Sequence, residues 1–395
     1  MKINSIRDVK NLAGKRVLVR VDFNVPIKNG QVLDDYKMRK NLPTIKYLID
    51  KKAKLILMSH LGMLSPTDPP QSLRPVAKHL EKLLKQPVKF VPFKLGTNPE
   101  LKLIDLKNGE VAVLENVRYA PDEKTNTGIF AKELAKQADY YVLDGFASAH
   151  RNSTSVAGVA KYLPAFGGLL ITEEIAGLSK VMEKPNQPLV VLIGGAKAET
   201  KISVVKNLLP KADYILVSGG FFNTYLWAKG FKVGGSLIQK EFKTEILKYA
   251  QSKKLILPVD LVVGRADGSA ARVVPINADF KITDSKLAIY DIGPATVQLF
   301  AEYIKQAATL IWNGAMGRFE VHPYEYGTFS LARLFAARSK GKAFGVCGGG
   351  ETVQVVEKLK VADQIDLVST GGGAMLEFLG GKKLPGFLAL SKKAK

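Results

Sequence analysis

Polar side chains that could bind an anion follow four short apolar segments in the first half of the chain. The residues at these positions are Asp22 and Asn24, then His60, then Arg118, and finally His150 and Arg151. Arginine pairs with phosphate or carboxylate through its planar guanidinium, and histidine adds further hydrogen bonds. Side chains of these types, brought to one edge of a sheet, are typical of a site for a small metabolite that carries phosphate.

Glycine clusters take the same place in the second half of the chain. Of the 35 glycines, 24 lie in residues 181–395, and they group directly after apolar segments at 194–195, 219–220, 348–350 and 371–373. Glycine there lets backbone N–H groups approach a phosphate closely, and a following helix adds the positive end of its dipole. The second half is therefore predicted to bind a nucleotide.

Two lysines follow the first of these glycine clusters. Lys197 and Lys201 are four residues apart, so they lie on one face of the first turn if residues 198–209 form a helix. Positive charge at a helix N-terminus opposes the helix dipole, so the pair indicates an anion between the two lysines. The sequence has no GxxxxGK[ST] motif, which argues against a Walker-type ATPase.

These side chains need a scaffold, and short apolar strands alternate with amphipathic helices along the chain. The first half predicts strands at 16–23, 54–59, 111–114 and 140–143, and helices at 38–50, 73–84 and 129–137. The second half predicts strands at 189–193, 214–217, 255–259, 310–312, 344–347 and 367–369. Such alternation indicates βαβ units with parallel sheets, which bind ligands beyond the carboxyl ends of their strands.

A predicted helix at 169–182, bounded by glycines before it and prolines after it, separates the two halves. We therefore expect an α/β protein of two Rossmann-like domains with parallel sheets, joined by a hinge helix. The expected limits are 1–167 for the first domain, 168–185 for the hinge helix, 186–383 for the second domain, and 384–395 for a C-terminal segment.

Composition excludes several classes of protein. The 395 residues are 46% hydrophobic and 24% charged, which is ordinary for a globular protein and too apolar for a mainly disordered one. The single cysteine, Cys347, excludes a disulfide framework and a cysteine-rich metal site. No apolar run is long enough to span a bilayer, and the N-terminal residues do not resemble an export signal. We expect a cytoplasmic protein with no membrane partner.

The net charge is unusually positive. Fifty-eight Lys and Arg against 36 Asp and Glu give +22, which favours anionic partners such as nucleotides, sugar phosphates or nucleic acid. The lysines are spread along the chain rather than clustered. A basic solvated surface is therefore the simpler interpretation, and a dedicated nucleic-acid patch is the alternative.

The chain resembles the phosphoglycerate kinases. The resemblance runs in family order over nearly the whole chain, through RVLVRVDFNVP (16–26), SHLG (59–62), LENVRY (114–119), DGFASAHR (144–151), IGGAKAETKI (193–202), SGGFFNTYL (218–226), IWNGAMGRFE (311–320), GGGET (348–352) and STGGGAMLEFLGG (369–381). So many motifs in one order are far more specific than a lone glycine motif.

The resemblance implies reversible phosphoryl transfer between 1,3-bisphosphoglycerate and ADP, giving 3-phosphoglycerate and ATP with Mg²⁺. It implies a triose-phosphate site in the first domain, at Asp22, Asn24, His60, Arg118 and Arg151. It implies a nucleotide site in the second domain, at Gly195, Ala196, Lys201, Gly219, Gly220, Asn313, Glu320, Gly350, Glu351 and Thr352, with Glu351 also at the metal. The catalytic positions are Lys37, Lys197 and the backbone of Gly371, Gly372 and Gly373.

The resemblance also implies a monomer. In the family the C-terminal segment packs back on the first domain, and the two domains close around their substrates through the hinge.

Four positions depart from the family pattern. Lys37 stands where the family has its main catalytic arginine, and Met63 replaces an arginine beside the substrate phosphate. Glu351 replaces the metal-side aspartate, and Ala315 replaces a proline. Lysine keeps the charge of arginine but loses its paired hydrogen bonds. We therefore hypothesise an enzyme with reduced activity relative to the family.

Two other interpretations stay open at this stage. The chain could be a catalytically impaired nucleotide-binding relative whose partner is a nucleic acid or another anion, although the enzyme does not require such a partner. Other enzymes that handle acyl phosphates, such as acetate-type kinases, lack support because their motifs are absent.

Overall fold

The computed structural model describes residues 3–62 and 71–391. These residues form two compact units. The first comprises the described residues up to Ala176 together with those from Lys383 onward, and the second comprises Gly177–Lys382. The division falls inside a helix, Leu169–Glu183.

The secondary structure consists of strands and helices that alternate along both units. The strands are β1 (Arg16–Arg20), β2 (Ile27–Lys28), β3 (Gln31–Val32), β4 (Lys54–Met58), β5 (Val88–Val91), β6 (Val111–Leu114), β7 (Tyr140–Leu143), β8 (Ala165–Gly167), β9 (Leu189–Ile193), β10 (Tyr214–Val217), β11 (Lys232–Val233), β12 (Leu255–Ile256), β13 (Asp260–Gly264), β14 (Arg272–Pro275), β15 (Lys281–Ile282), β16 (Ala288–Ile292), β17 (Thr309–Asn313), β18 (Phe344–Gly348) and β19 (Leu367–Ser369). The helices are α1 (Tyr36–Asp50), α2 (Arg74–Leu84), α3 (Asp122–Thr125), α4 (Ile129–Lys136), α5 (Leu169–Glu183), α6 (Glu199–Leu208), α7 (Gly219–Ala228), α8 (Lys243–Tyr249), α9 (Pro294–Gln306), α10 (Tyr326–Arg338), α11 (Gly350–Lys358), α12 (Gly373–Leu379) and α13 (Pro385–Leu390).

The first unit is built on a six-stranded parallel sheet in the order β5-β6-β4-β1-β7-β8. The chain runs outwards from β1 through β4 and then returns to the other side of β1 with β7. The strand order therefore reverses beside β1, and a crevice forms there beyond the carboxyl ends of the strands. Asp22, His60, Arg118 and Arg151 follow β1, β4, β6 and β7, so this topology carries them to one edge.

The second unit repeats this plan. Its main sheet is parallel and has the order β12-β10-β9-β17-β18-β19. The order reverses between β9 and β17, so the loops after these strands flank a second crevice. The predicted glycine cluster 194–195 follows β9, and the other three clusters follow β10, β18 and β19 at the same edge of the sheet.

The central strands of both sheets are buried on both faces. Val17, Leu18 and Val19 of β1 are fully buried, and every residue of β9 and β17 is buried. Parallel sheets covered by helices on both sides need such continuous apolar runs, which explains why the strands were readable in the sequence.

The strand predicted at 255–259 is partly wrong. Only Leu255–Ile256 joins the parallel sheet, as β12. The chain then leaves the sheet at Pro258, which has no N–H to donate to a neighbouring strand. It enters a separate antiparallel sheet, β14-β13-β16, which the sequence analysis missed.

The last described helix, α13, belongs to the first unit. Its Phe387 ring stacks on Phe146, with 5.2 Å between the ring centroids, and both side chains are buried. Among the residues described, no helix combines the length and the apolar character needed to cross a membrane.

Replacing Phe387 with alanine should destabilise the first unit, because a buried ring would leave a cavity against Phe146. We expect its free energy of unfolding to fall by about 3–5 kcal/mol in urea titrations. The matched control is Leu388→Ala on the same helix, where the side chain is 46% exposed and the loss should stay below about 1 kcal/mol. Equal losses in the two variants would contradict this role of α13.

Candidate functional site

A basic cavity of about 430 Å³ opens in the first unit at the carboxyl edge of its sheet. Four cationic side chains and a single carboxylate are among the residues around it, which are Arg20, His60, Arg118, Glu123, Lys124, Arg151, Asn152 and Ser153. An excess of positive charge in a partly enclosed cavity attracts anions of matching size. The cavity therefore has the electrostatics of an anion site.

Two arginines of this cavity repel each other. Burial, and then the charge of Arg151, lower the pKa of Arg118 to about 10. Arg118 still carries its charge at neutral pH, and its Nη1 donates to the carbonyl oxygen of Gly62. Glu123 and Asp22 oppose this repulsion only in part, so the two like charges favour the binding of a phosphate or carboxylate.

The loop after β1 is tied to α1 by an ion pair. The Nζ of Lys37 lies 2.9 Å from Oδ2 of Asp22, whose side chain is almost fully buried, while the Lys37 side chain is 33% exposed. Arg39 pairs instead with Asp35, at 3.0 Å, and is mostly exposed. Lys37 is thus the cation of this helix turn that reaches the loop after β1, and Arg39 does not replace it.

Two asparagines brace the neighbouring loops. Asn24 accepts a hydrogen bond from the backbone N–H of Gly62 at 3.0 Å. Asn116 donates from Nδ2 to the carbonyl oxygens of Leu61 and Gln71, each at 2.8 Å. Met63, the second departure from the family pattern, lies outside the described residues.

The second unit contains a larger cavity of about 640 Å³ at the reversal of its sheet order. This volume suits a nucleoside and part of its phosphates. Six of the predicted nucleotide-site residues line the cavity, namely Gly195, Ala196, Gly219, Gly220, Glu320 and Glu351.

Close backbone packing explains two of these glycines. Gly219 has a φ of +59°, and a Cβ on Gly220 would lie only 2.0 Å from the carbonyl oxygen of Ala196. The N–H of Gly220 donates to the carbonyl oxygen of Gly195 at 2.9 Å. The loops after β9 and β10 can therefore touch each other and form one wall of the cavity.

A buried lysine lies behind the cavity wall. Lys201 is only 7% exposed, and its Nζ donates to Oδ1 of Asn313. Burial lowers the pKa of Lys201 to about 8, although the nearby carboxylate of Glu351 opposes this shift. Asn313 in turn donates to the carbonyl oxygen of Gly348 at 2.7 Å, and Thr352 accepts from the N–H of Gly314 at 2.8 Å. Lys201, Asn313 and Thr352 thus join the loops after β9, β17 and β18.

The expectation that Lys197 and Lys201 lie on one face of a first helical turn is wrong. Helix α6 begins at Glu199, so Lys197 lies in the loop before it and is exposed, whereas Lys201 in the first turn is buried. The chain turns at Gly195, with a φ of +89°, and does not enter the helix until two residues after Lys197. The two lysines do not share one face of the first helical turn.

The remaining predicted residues lie at helix starts. Gly350 begins α11, and Gly373 begins α12. Gly371 and Gly372 precede α12, and the N–H of Gly371 donates to Oγ of Ser369 at 3.1 Å. They do not contribute to the lining of the 640 Å³ cavity.

Sequence reasoning missed several residues of both cavities. Arg20 and Glu123 in the first unit, and Leu237 and Tyr290 in the second, line the cavities without having been singled out. One signal was available, because Arg20 is a charge at the buried end of strand β1, directly after the apolar residues Val17–Val19. Glu123 and Tyr290 carry no comparable signal, since charged and aromatic residues at such positions are common.

Comparisons with known proteins agree with one another. A family model described as phosphoglycerate kinase matches residues 6–382. Proteins named phosphoglycerate kinase from Dictyoglomus turgidum and Moorella thermoacetica are 43% and 45% identical to this chain, over 99% and 98% of its length and 99% of theirs. The solved phosphoglycerate kinase structures of Coxiella burnetii and Pyrococcus horikoshii both align with a TM-score of 0.86, at 37% and 31% identity over 100% and 98% of both chains.

These matches confirm the fold class predicted from the sequence, an α/β protein with two parallel sheets, and they confirm the predicted resemblance. They do not favour the alternative of a nucleic-acid-binding relative. The chain belongs to the phosphoglycerate kinase family, whose members are phosphotransferase enzymes of glycolysis.

Proposed function

We propose that this chain transfers a phosphoryl group between 1,3-bisphosphoglycerate and ADP, with the triose phosphate in the basic cavity of the first unit and the nucleotide in the cavity of the second. The observation that carries the proposal is the difference in chemistry between the linings of the two cavities. One has four cationic side chains, and the other has a wall of glycine loops backed by a buried lysine. The family match supports the same reaction.

The triose-phosphate site would use Arg118 and Arg151 for the anionic groups. The two guanidinium groups repel each other, and a bound anion would neutralise their charge. The relief of this repulsion would favour binding. Asp22 and Asn24 would hold the loops beside this site through their hydrogen bonds to Lys37 and Gly62, and His60, which lines the cavity, would add a further contact.

The nucleotide site would hold the base and ribose in the 640 Å³ cavity, with Glu320 at its border. Lys201, behind the cavity wall and beside Asn313, would contribute positive charge near the phosphates in addition to balancing Glu351. Ala196, in the loop after β9, would offer its backbone N–H group to them. The N–H of Gly195 already donates to the carbonyl oxygen of Ala315 at 2.7 Å, so Gly195 would serve the site by letting the loop turn.

Magnesium fits the chemistry of this site. Among the described residues no group of three or more His, Cys, Asp or Glu could hold a metal ion, but Mg²⁺ commonly binds through one carboxylate and the phosphates of its nucleotide. Glu351 lines the cavity in the first turn of α11 and would supply that carboxylate. The ion would neutralise phosphate charge as the group is transferred.

Phosphoryl transfer needs alignment and charge neutralisation more than covalent help from the protein. We assign Lys37 and Lys197 to stabilise charge on the transferring group, together with the loop Gly371–Gly373. In this loop the N–H groups of Gly372 and Gly373 would contact the group, since that of Gly371 donates to Ser369. Because lysine replaces the family's arginine at position 37, we propose that turnover is slower than in the family generally. We also propose that the enzyme is cytoplasmic and monomeric, as the resemblance to the family implies.

The proposal is tested by a coupled assay of ATP formation from 1,3-bisphosphoglycerate and ADP with the purified full chain. We expect turnover that depends on both substrates and on Mg²⁺. Absence of turnover, combined with tight and strongly salt-dependent polynucleotide binding, would instead support the alternative of a nucleic-acid partner.

Lys37 provides a test of the catalytic assignment. Lys37→Met should lower kcat by about 10²–10³, because a charge-stabilising contact is lost. Lys37→Arg, alone or with Met63→Arg, should retain or raise kcat. The matched control is Lys46→Met, an exposed lysine of the same helix, which should leave kcat unchanged. A Lys37→Met variant with unaltered kcat would exclude a catalytic role.

Lys201 predicts a pH dependence of nucleotide binding. Its pKa of about 8 means that the charged form dominates below this pH, so ADP affinity should fall as the pH rises through 8. Lys201→Met should weaken ADP binding about 10- to 100-fold at neutral pH and remove this pH dependence, as measured by calorimetry. Lys206→Met, exposed on the same helix, serves as the control. A Lys201→Met variant that keeps the wild-type pH profile would contradict the assignment.

A further inference from the structure

Arg20 and His60 form a buried pair at the edge of the basic cavity. Arg20 ends strand β1 and is only 1% exposed, and His60 follows β4 and is 3% exposed. The Nη2 of Arg20 lies 3.0 Å from Nδ1 of the His60 ring. A guanidinium carries only donors, so Nδ1 must accept this hydrogen bond and cannot carry a proton.

The guanidinium is itself held in one orientation. Its Nε donates to Oγ of Ser155 at 2.8 Å, and this hydroxyl donates to Oε1 of Glu123 at 2.7 Å. Glu123 also accepts from the backbone N–H of Ser155 at 2.9 Å. Glu123 therefore provides the countercharge for Arg20. The hydroxyl of Ser155 bridges the two side chains, because it accepts from Arg20 and donates to Glu123.

The surroundings keep the ring neutral. Burial is the main reason that the pKa of His60 lies well below its usual value, and the positive charges of Arg20, Arg118, Arg151 and Lys37 add to it. A neutral imidazole carries one proton, and with Nδ1 occupied as an acceptor that proton belongs on Nε2.

We infer that Arg20 is a positioning residue that holds His60 in the neutral Nε2–H form, so that the ring offers a hydrogen-bond donor, and not a base, to an oxyanion bound in the cavity. The hydrogen-bond geometry of Arg20, Ser155 and Glu123 determines which ring nitrogen carries the proton. The identity of the oxyanion as a triose phosphate rests on the proposed function, whereas the protonation state of the ring does not.

The tautomer can be measured directly in the full chain labelled with ¹⁵N-histidine. The signals of His60 are assigned by their loss in His60→Gln. Long-range ¹H–¹⁵N correlation spectra of the unliganded wild type should show an unprotonated Nδ1 and a protonated Nε2 for this ring throughout the neutral pH range. A protonated Nδ1, in either the neutral or the doubly protonated ring, would overturn the inference.

The role of Arg20 is tested in the double variant Arg20→Met with Glu123→Gln, which removes the donor without leaving a buried carboxylate unpaired. His60 should then show a mixture of tautomers, and the KM for 3-phosphoglycerate should rise on the order of tenfold while the KM for ATP stays unchanged. The matched control is Arg16→Met, at the other end of the same strand, which should leave both the tautomer and the KM values unaltered. A pure Nε2–H ring in the double variant would show that Arg20 does not set the tautomer.

Two further experiments complete the test, and the second separates this inference from the proposed function. Ser155→Ala is a milder change that frees Arg20 Nε and should give an intermediate tautomer mixture, so the inference stays testable if the double variant does not fold. An Nε2–H signal that is present in the wild type but does not shift with 3-phosphoglycerate would overturn the proposed ligand, while leaving the tautomer assignment intact.

Discussion

The reversal of strand order in each parallel sheet is the constraint on which both sites depend. In a parallel sheet all strands end at the same edge, and only where neighbouring connections leave in opposite directions do the loops separate and open a crevice. In the first unit this happens beside β1, and in the second between β9 and β17. Residues far apart in sequence, such as Arg20 and Ser155, or Lys201 and Asn313, thereby become hydrogen-bond partners. The sites are consequences of topology, and the loops supply their chemistry.

Burial then decides what each charged group does. Arg118 stays positive although it is close to Arg151, and that stored repulsion favours an anion. Burial lowers the pKa of Lys201 to about 8, so the charge behind the cavity of the second unit depends on the pH. His60 is kept neutral mainly by burial and further by the cations around it, and Arg20 determines which ring nitrogen carries its single proton. The same physical effect, removal from water, thus produces a permanent charge, a titratable charge and a neutral donor in one enzyme.

Most of the parallel scaffold was predictable from the sequence because strands buried on both faces are continuous apolar runs, as in LVVLI of β9. The antiparallel sheet around β13 was not, since its strand follows Pro258 within the same apolar stretch as β12. Site residues at strand ends, such as Arg118, could be named from their type and place. Glu123 and Ser155 could not be named from the sequence. Their role depends on their hydrogen-bond network with Arg20, which lies more than a hundred residues away in the chain. Lys197 and Lys201 looked equivalent in sequence, and only the start of α6 separates an exposed lysine from a buried one.

The central claim is that 3-phosphoglycerate and the nucleotide bind in different units. 3-Phosphoglycerate would bind against paired arginines in the first unit, and the nucleotide against glycine loops in the second. A crystal structure of the chain with 3-phosphoglycerate and ADP tests it most directly. The account predicts 3-phosphoglycerate in the cavity lined by Arg118 and Arg151, within hydrogen-bond distance of both guanidinium groups, and ADP in the cavity lined by Gly195, Gly219 and Glu351. Both ligands within a single unit, or an acid bound away from the two arginines, would contradict it.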